Sequence, residues 1–153
     1  SGAHGASDVI TILGTEGMAV QFAKCCRPIP GDAIVGFIKK DQGLVIHIHD
    51  CPVVSKYQGN SDNWLDVEWG KGITRHFEVS IKMMVANQRG VLARVAAAIA
   101  EAGSNIDNVV MEGDGAYTTM NFMLQVRNRY HLAQIMRGLR HIPEVAKISR
   151  MKG

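Results

Sequence analysis

The stretch FEVSIKMMV at residues 77–85 decides the fold of the second half of the chain. Its apolar residues stand at every second position, which is the period of a β-strand with one buried face. The polar residues between them, Glu78, Ser80 and Lys82, would face the other side. The buried face is predicted to consist of Phe77, Val79, Ile81, Met83 and Val85.

After this strand the apolar spacing becomes helical. Gly90 and Gly103 bound a predicted helix with one apolar face, and strands at residues 106–111 and 117–126 flank a glycine-containing turn. A second amphipathic helix ends before Pro143, and a last strand covers residues 145–151. The order βαββαβ predicts an antiparallel four-stranded sheet with two helices on one face. We therefore expect a ferredoxin-like domain at residues 75–153.

The part of the chain before Gly70-Lys71-Gly72 has a different pattern, so this glycine-containing segment is interpreted as a linker. Short strands bounded by Gly, Pro or Asp are predicted at residues 18–22, 33–38, 43–47 and 64–69. Residues 9–70 would then form a small β-rich module, and residues 1–8 a cloning remnant or linker. The predicted fold class is α+β, with the β-rich module followed by the βαββαβ domain.

Composition and charge narrow the classes of function. No apolar run approaches the roughly 20 residues that span a membrane. Residues 1–74 hold six Lys/Arg and eight Asp/Glu, a net charge of −2, whereas residues 75–153 hold eleven and six, a net charge of +5. This asymmetry predicts a basic second unit, although +5 also fits an ordinary solvated surface. Three cysteines, two of them adjacent, argue against a secreted disulfide framework and favour the reducing cytoplasm.

The cysteines suggest a metal site in the first unit. Cys25, Cys26 and Cys51 lie in one short window with His47, and three thiolates with one imidazole suit tetrahedral Zn²⁺. His49, two residues further along the same strand, is the alternate ligand. Buried thiols that act as small apolar side chains explain the same residues equally well. A catalytic thiol is disfavoured, because no cysteine has a clear base partner.

Several strings carry a resemblance to a known family. GTEGM at 14–18, FAKCCRPIPGD at 22–32, IVG at 34–36, GLVIH at 43–47 and DCP at 50–52 resemble the zinc-finger-like module near the C-terminus of long RelA/SpoT-type enzymes. Those enzymes make and hydrolyse the alarmone (p)ppGpp. NQRGVL at 87–92, SNI at 104–106 and HLAQIMR at 131–137 resemble the ACT domain that ends the same proteins. The resemblance covers residues 9–152, and the bifunctional branch is the nearer one.

The resemblance implies a regulatory region without catalytic residues. The hydrolase and synthetase domains of the family lie in the N-terminal half, and they would be the partners of this region. His49-Asp50 does not indicate a metal-dependent phosphohydrolase, because that chemistry needs further His and Asp ligands on helices. The resemblance favours a structural zinc ion held by Cys25, Cys26, His47 and Cys51.

In the second unit, the resemblance implies an amino-acid site at a strand-to-helix turn. Backbone amides at a helix N-terminus suit a carboxylate, and Gly90 permits close approach. Packing of Gly90 between helix and sheet is the alternative. ACT domains pair, so we expect a homodimer and, as first ligand, a branched-chain amino acid. The predicted site consists of Asn87, Gln88, Arg89, Gly90, Val91 and Leu92, with Asn105 and Ile106 from the paired copy.

A basic surface is the second candidate partner site in this unit. Flexible cations on the second helix and near its start could contact phosphates of ribosomal RNA or tRNA. The polar face of an amphipathic helix is the simpler alternative. The predicted RNA-contact residues are Arg129, His131, Arg137 and Arg140, with Arg127 and His141 beside them.

Overall fold

The computed structural model describes residues 9–57, 59 and 62–152. The chain divides into two compact units: the first comprises the residues up to Arg75 together with those after Met151, and the second spans His76–Met151. Residues 1–8, predicted as a remnant or linker, lie outside the described residues. Among the described residues, no helix has the length and apolar character needed to cross a membrane.

The first unit is built on a five-stranded sheet with the order β1-β5-β3-β4-β2. The central strands β5, β3 and β4 run antiparallel, whereas the outer strands β1 and β2 each run parallel to their neighbour. Its elements are β1 (Ile10–Ile12), a 3₁₀ turn (Gly17–Ala19), β2 (Val20–Phe22), β3 (Ile34–Lys39), β4 (Gly43–Ile48), α1 (Pro52–Tyr57) and β5 (Trp64–Trp69).

Both faces of this sheet are covered. Ile34 and Ile46 pack with Ile12 and Val67 on one face. On the other face, Val35 packs with a second buried cluster that contains Ala23, Cys26, Cys51 and Val54, and Ile48 at the end of β4 joins this cluster. Two-sided burial explains why β3 begins with a continuous apolar run instead of an alternation.

The first unit departs from the sequence-based expectation at its N-terminal side. Strand β1 was not predicted, because three residues carry no measurable period and their partner β5 lies far along the chain. The strand expected at residues 18–22 is a 3₁₀ turn followed by the three-residue β2.

The second unit confirms the predicted βαββαβ order and the α+β class. Its sheet has the order β7-β8-β6-β9 with every pair antiparallel. The apolar side of β6 is buried at alternate positions, as the pattern at residues 77–85 predicted. The elements are β6 (Phe77–Ala86), α2 (Val91–Glu101), β7 (Ile106–Asp114), β8 (Tyr117–Val126), α3 (Arg129–Arg140) and β9 (Val145–Arg150).

Candidate functional site

The three cysteines and His47 come together at one end of the first unit. Cys25 and Cys26 follow β2, His47 lies in β4, and Cys51 directly precedes α1. The parallel pairing of β2 with β4 places Phe22 opposite Ile46, so the segment after β2 runs beside the end of β4. The three sulfur atoms and the imidazole nitrogen lie within 4.8 Å of one another.

A tight turn lets two adjacent cysteines face the same point. The Arg27 amide donates a 2.8 Å hydrogen bond to the Ala23 carbonyl, which closes an α-turn around Cys25 and Cys26. Arg27 has a φ of +50°, in the left-handed region, so the chain reverses immediately after the two thiols. The turn satisfies the condition that adjacent cysteines must meet to ligate one ion.

Four of the six distances between ligand atoms in the cluster are close to the edges of a zinc tetrahedron. With metal–sulfur distances of about 2.3 Å, such a tetrahedron has sulfur–sulfur edges of about 3.8 Å. The Cys25 sulfur lies 3.6 Å from the Cys51 sulfur and 3.9 Å from the Cys26 sulfur. Nδ1 of His47 lies 3.5 Å from the Cys25 sulfur and 3.9 Å from the Cys26 sulfur. The four side chains therefore fit zinc without a large rearrangement.

Burial points to a structural use of this cluster. Cys26, His47 and Cys51 are buried, and only Cys25 is exposed. Four protein ligands leave no coordination position for water, which is the arrangement of structural zinc sites. The Ile48 amide donates a 3.3 Å hydrogen bond to the Cys26 sulfur. Such a bond supports a thiolate and fixes the orientation of a ligand.

In the metal-free protein the cluster favours its uncharged form. Burial raises the pKa of the Cys25 and Cys26 thiols, and for Cys25 the neighbouring Cys51 thiol adds to the effect. Burial also lowers the pKa of His47, and the positive charge of Lys39 lowers it further. A neutral imidazole is ready to ligate, whereas the thiols must release protons to do so.

The prediction that His49 is an alternate ligand is wrong. β4 ends at Ile48, and His49 is exposed beyond it. Its backbone amide donates to the Ala33 carbonyl at 2.8 Å. The two-residue spacing places two side chains on one face only while the strand continues, so the end of β4 separates His49 from His47.

The predicted amino-acid loop lies between β6 and α2. Asn87 connects this loop to the β7–β8 turn through two hydrogen bonds. Its backbone N–H donates to the Ala116 carbonyl at 2.8 Å, and its side-chain Nδ2 donates to the Gly115 carbonyl at 3.2 Å. Gly90 has a φ of +81°, and a Cβ there would meet only Arg94, at 3.6 Å. Glycine is thus required by the backbone conformation, and the alternative that it packs the helix against the sheet is wrong.

The remaining loop residues differ in exposure. Val91 is buried and belongs to the core side of α2, whereas Arg89 and Leu92 are exposed. Asn105 and Ile106, which were predicted to complete the site, lie at the opposite end of the sheet from this loop within one chain. Ile106 pairs with Leu124 of β8, near the start of β6, whereas the loop follows the end of β6. Asn105 and Ile106 could meet the loop only from a second copy.

The predicted RNA-contact set needs one correction. Arg129, Arg137 and Arg140 are exposed on α3, but His131 is only 1% exposed. Nδ1 of His131 accepts the Arg127 amide at 3.0 Å, and Nε2 donates to the Ala102 carbonyl at 2.7 Å. The prediction of His131 as an RNA contact is therefore wrong, and the imidazole instead joins the start of α3 and the residue that follows β8 to the end of α2.

Burial lowers the pKa of His131, the hydrogen bond to the Ala102 carbonyl opposes this shift, and the neighbouring charges of Arg127 and His76 lower the pKa further. The sequence contained a signal for this structural role. His131, Ile135 and Leu139 follow a four-residue spacing and are all buried.

The comparisons with known proteins agree with this architecture. The sequence matches the RelA/SpoT RIS domain over residues 10–70 and the ACT domain over residues 74–150. It is 40% identical over 142 residues to the bifunctional (p)ppGpp synthase/hydrolase SpoT of Escherichia coli (strain K12), an alignment that covers 92% of this chain and 20% of that protein.

Two further comparisons concern GTP pyrophosphokinases. The enzyme of Escherichia coli (strain K12) is 24% identical over 147 residues, covering 94% of this chain and 20% of that protein. The crystal structure of the ACT domain from the Chlorobium tepidum enzyme is similar with a TM-score of 0.45 and 24% identity, covering 49% of this chain and 97% of that one. The chain thus spans 20% of the length of these curated relatives, and it matches their C-terminal regulatory part, not the catalytic domains. It therefore belongs to the RelA/SpoT-type family, of which it carries the non-catalytic RIS and ACT domains.

Proposed function

We propose that this chain regulates the hydrolase and synthetase domains of a bifunctional (p)ppGpp enzyme. The supporting observation is that a RIS domain and an ACT domain follow each other along a chain with 40% identity to SpoT over 92% of its length. Such control requires that a ligand or partner bind this region with different affinity in two states of the enzyme. The free thiols are consistent with the reducing cytoplasm, where in this proposal (p)ppGpp is made and hydrolysed.

In this proposal the two domains, residues 9–70 and 75–153, have different tasks. The first is a rigid contact surface held together by zinc on Cys25, Cys26, His47 and Cys51. The clustering of these four side chains supports that role, since a module of this size has only a thin hydrophobic core. The second domain binds a branched-chain amino acid at residues 87–92 and pairs with a second copy.

Isothermal titration calorimetry with valine and isoleucine tests the sensing role. We expect saturable binding that Leu92→Ala weakens, because this exposed side chain lies in the loop that would cover the ligand. Leu13→Ala is the matched control, since Leu13 has a similar exposure, 41% against 37% for Leu92, but lies in the first unit. Absence of binding by either amino acid would reject this ligand class.

Sedimentation equilibrium tests the pairing. Asn105 and Ile106 can complete the loop only from another copy, so amino-acid binding should strengthen a dimer. A protein that remains monomeric at high micromolar concentration with saturating valine would contradict the paired site.

Binding to ribosomal RNA or tRNA is the alternative function. It is favoured by the exposure of Arg129, Arg137 and Arg140 along one helix. Each phosphate contact contributes to the salt dependence of binding, so Arg137→Glu with Arg140→Glu should weaken binding and reduce the salt slope by about 2. The matched control is Lys71→Glu, an exposed cation of the first unit. Equal binding by the double variant and the parent protein would exclude this surface.

A further inference from the structure

The first unit contains a cavity beside the thiol cluster, and His47 is the one cluster residue in its lining. It has a volume of about 590 Å³, within the range of roughly 300–1,000 Å³ that is usual for small-molecule sites. Strands β2 to β5 and helix α1 surround it. Its wall includes aromatic side chains, two lysines and the ring of His47: Phe37, Tyr57, Trp64, Lys24, Lys39 and His47.

The aromatic part of the cavity is held in place by its own contacts. The ring of Phe37 meets Trp64 edge-to-face with centroids 4.8 Å apart, and His47 lies 6.0 Å from Trp64 in the same manner. The Trp64 indole donates a 3.2 Å hydrogen bond to the Tyr57 carbonyl. A wall fixed before binding loses little conformational freedom when a ligand arrives.

The charge at the cavity is positive. Lys24 and Lys39 line it and are exposed, so their ammonium groups can reach a ligand from the solvent side. Among the described residues of the lining, none is acidic, whereas glutamine side chains such as Gln21 and Gln42 provide further hydrogen-bonding groups. The cavity thus combines apolar, ring-shaped walls with a cationic edge.

We propose that this cavity binds a nucleotide, with the base against Phe37 and Trp64 and the phosphate at Lys24 and Lys39. Aromatic rings favour a flat ligand, because stacking gains most between planar π-systems. The lysines favour an anionic group on that ligand. A nucleotide carries both features on one small molecule. The inference goes beyond the amino-acid and regulatory roles proposed above and does not depend on them.

The cavity adjoins the thiol cluster through His47. Nδ1 of this ring faces the cysteine sulfurs, and the same ring lines the cavity. Substitutions that test the cavity must therefore leave His47 in place, so that loss of the cluster is not mistaken for loss of the ligand.

Nuclear magnetic resonance of the two tryptophan indole groups provides the test in the whole chain. Trp64 lines the cavity, and Trp69 does not. Titration with guanosine 5′-monophosphate and adenosine 5′-monophosphate should shift the Trp64 indole signal and leave that of Trp69 nearly unchanged. Guanosine, which lacks the phosphate, and ribose 5-phosphate, which lacks the base, should each bind more weakly than the complete nucleotide.

Two variants separate the base contact from the phosphate contact. Phe37→Leu keeps an apolar side chain but removes the ring, so the dissociation constant should rise about tenfold, as for loss of one stacking aromatic. Lys39→Gln should weaken binding of the nucleotide but not binding of guanosine, which has no phosphate. Lys40→Gln is the control, since Lys40 is an exposed neighbour outside the cavity lining. Urea denaturation of each variant verifies that the fold is retained.

The outcomes divide clearly. A Trp64-specific shift that Phe37→Leu and Lys39→Gln reduce would support the site. The same titration with a short single-stranded RNA shows whether the ligand is a free nucleotide or part of an RNA strand. An affinity equal to that of the mononucleotide indicates a free nucleotide, and a much higher affinity for the RNA indicates a nucleotide within a strand. The proposal is overturned if neither mononucleotides nor RNA shift Trp64 at millimolar concentration, or if both variants bind like Lys40→Gln.

Discussion

Nδ1 of His47 lies 3.5 Å from the thiol sulfur of Cys25, although the two residues are 22 positions apart along the chain. Their proximity results from the pairing of β2 with β4, which sets Phe22 opposite Ile46. The α-turn after Ala23 then directs both adjacent cysteines toward the imidazole. The candidate zinc site therefore depends on strand register. Experiment can distinguish His47, which belongs to the cluster, from the nearby His49, which does not.

His47→Gln should remove zinc from the purified chain, whereas His49→Gln should retain it. His47 supplies a ligand atom to the cluster, and His49 is exposed beyond the end of β4. Loss of a ligand should lower zinc affinity by more than about 100-fold, since even changes to the groups that orient ligands cost 10- to 100-fold. Elemental analysis after dialysis against a weak chelator measures the difference. Equal zinc loss in both variants would refute the assignment of His47.

The metal-free first unit should lose stability as the pH rises above about 8.5, the ordinary pKa of a thiol. Burial raises the pKa of Cys25 and Cys26, so the folded state keeps protons that the unfolded state releases. The stabilisation is complete below the ordinary pKa and is lost above it. Thermal denaturation of chelator-treated, reduced protein measures the effect, and Cys26→Ala should reduce it. A melting temperature that does not fall between about pH 8 and 10 would disprove the explanation.

Two glycine substitutions in the second unit should have opposite effects on the free energy of unfolding. Gly90→Ala forces a side chain into a φ of +81° and should destabilise the unit by about 1 kcal/mol. Gly138→Ala should stabilise it by about 0.5–1 kcal/mol, because Gly138 lies within α3 and a Cβ there meets no atom within 4 Å. Urea denaturation compares both with the parent chain. Destabilisation by Gly138→Ala would show that α3 has neighbours at this position in solution.

The second unit should become less stable as the pH falls through about 6.5, the ordinary histidine pKa. Burial lowers the pKa of His131, so the unfolded state takes up a proton that the folded state resists. The contribution of the neutral His131 to the free energy of unfolding is therefore fully present above this pH and declines below it. In the folded protein, Nδ1 accepts a backbone hydrogen bond that protonation would break.

Ring proton shifts of His131, followed by nuclear magnetic resonance, measure this pKa directly. In thermal denaturation, His131→Gln should flatten the acid part of the profile, whereas His141→Gln, at an exposed histidine at the end of α3, should not. A His131 that titrates like a peptide histidine would contradict the buried hydrogen bonds.

Much of the second unit could be predicted from local sequence. The alternation at residues 77–85 and the helical spacing after Gly90 each describe one element, and the βαββαβ order permits few arrangements. The RIS and ACT motifs were likewise recognisable as strings. The strands of the first unit were harder to predict from local sequence, because three-residue strands such as β1 and β2 contain too few positions to show an alternation of apolar and polar residues.

The sequence by itself determined the types and order of most elements and the residues able to hold a metal. Only the tertiary structure decided that His47 joins the thiols while His49 does not, that His131 is buried, and that Phe37 and Trp64 form one wall of a cavity. The physical reason is that side-chain period is a local property of the backbone, whereas these contacts depend on strand register, on where a strand ends, and on which segments pair across the sheet.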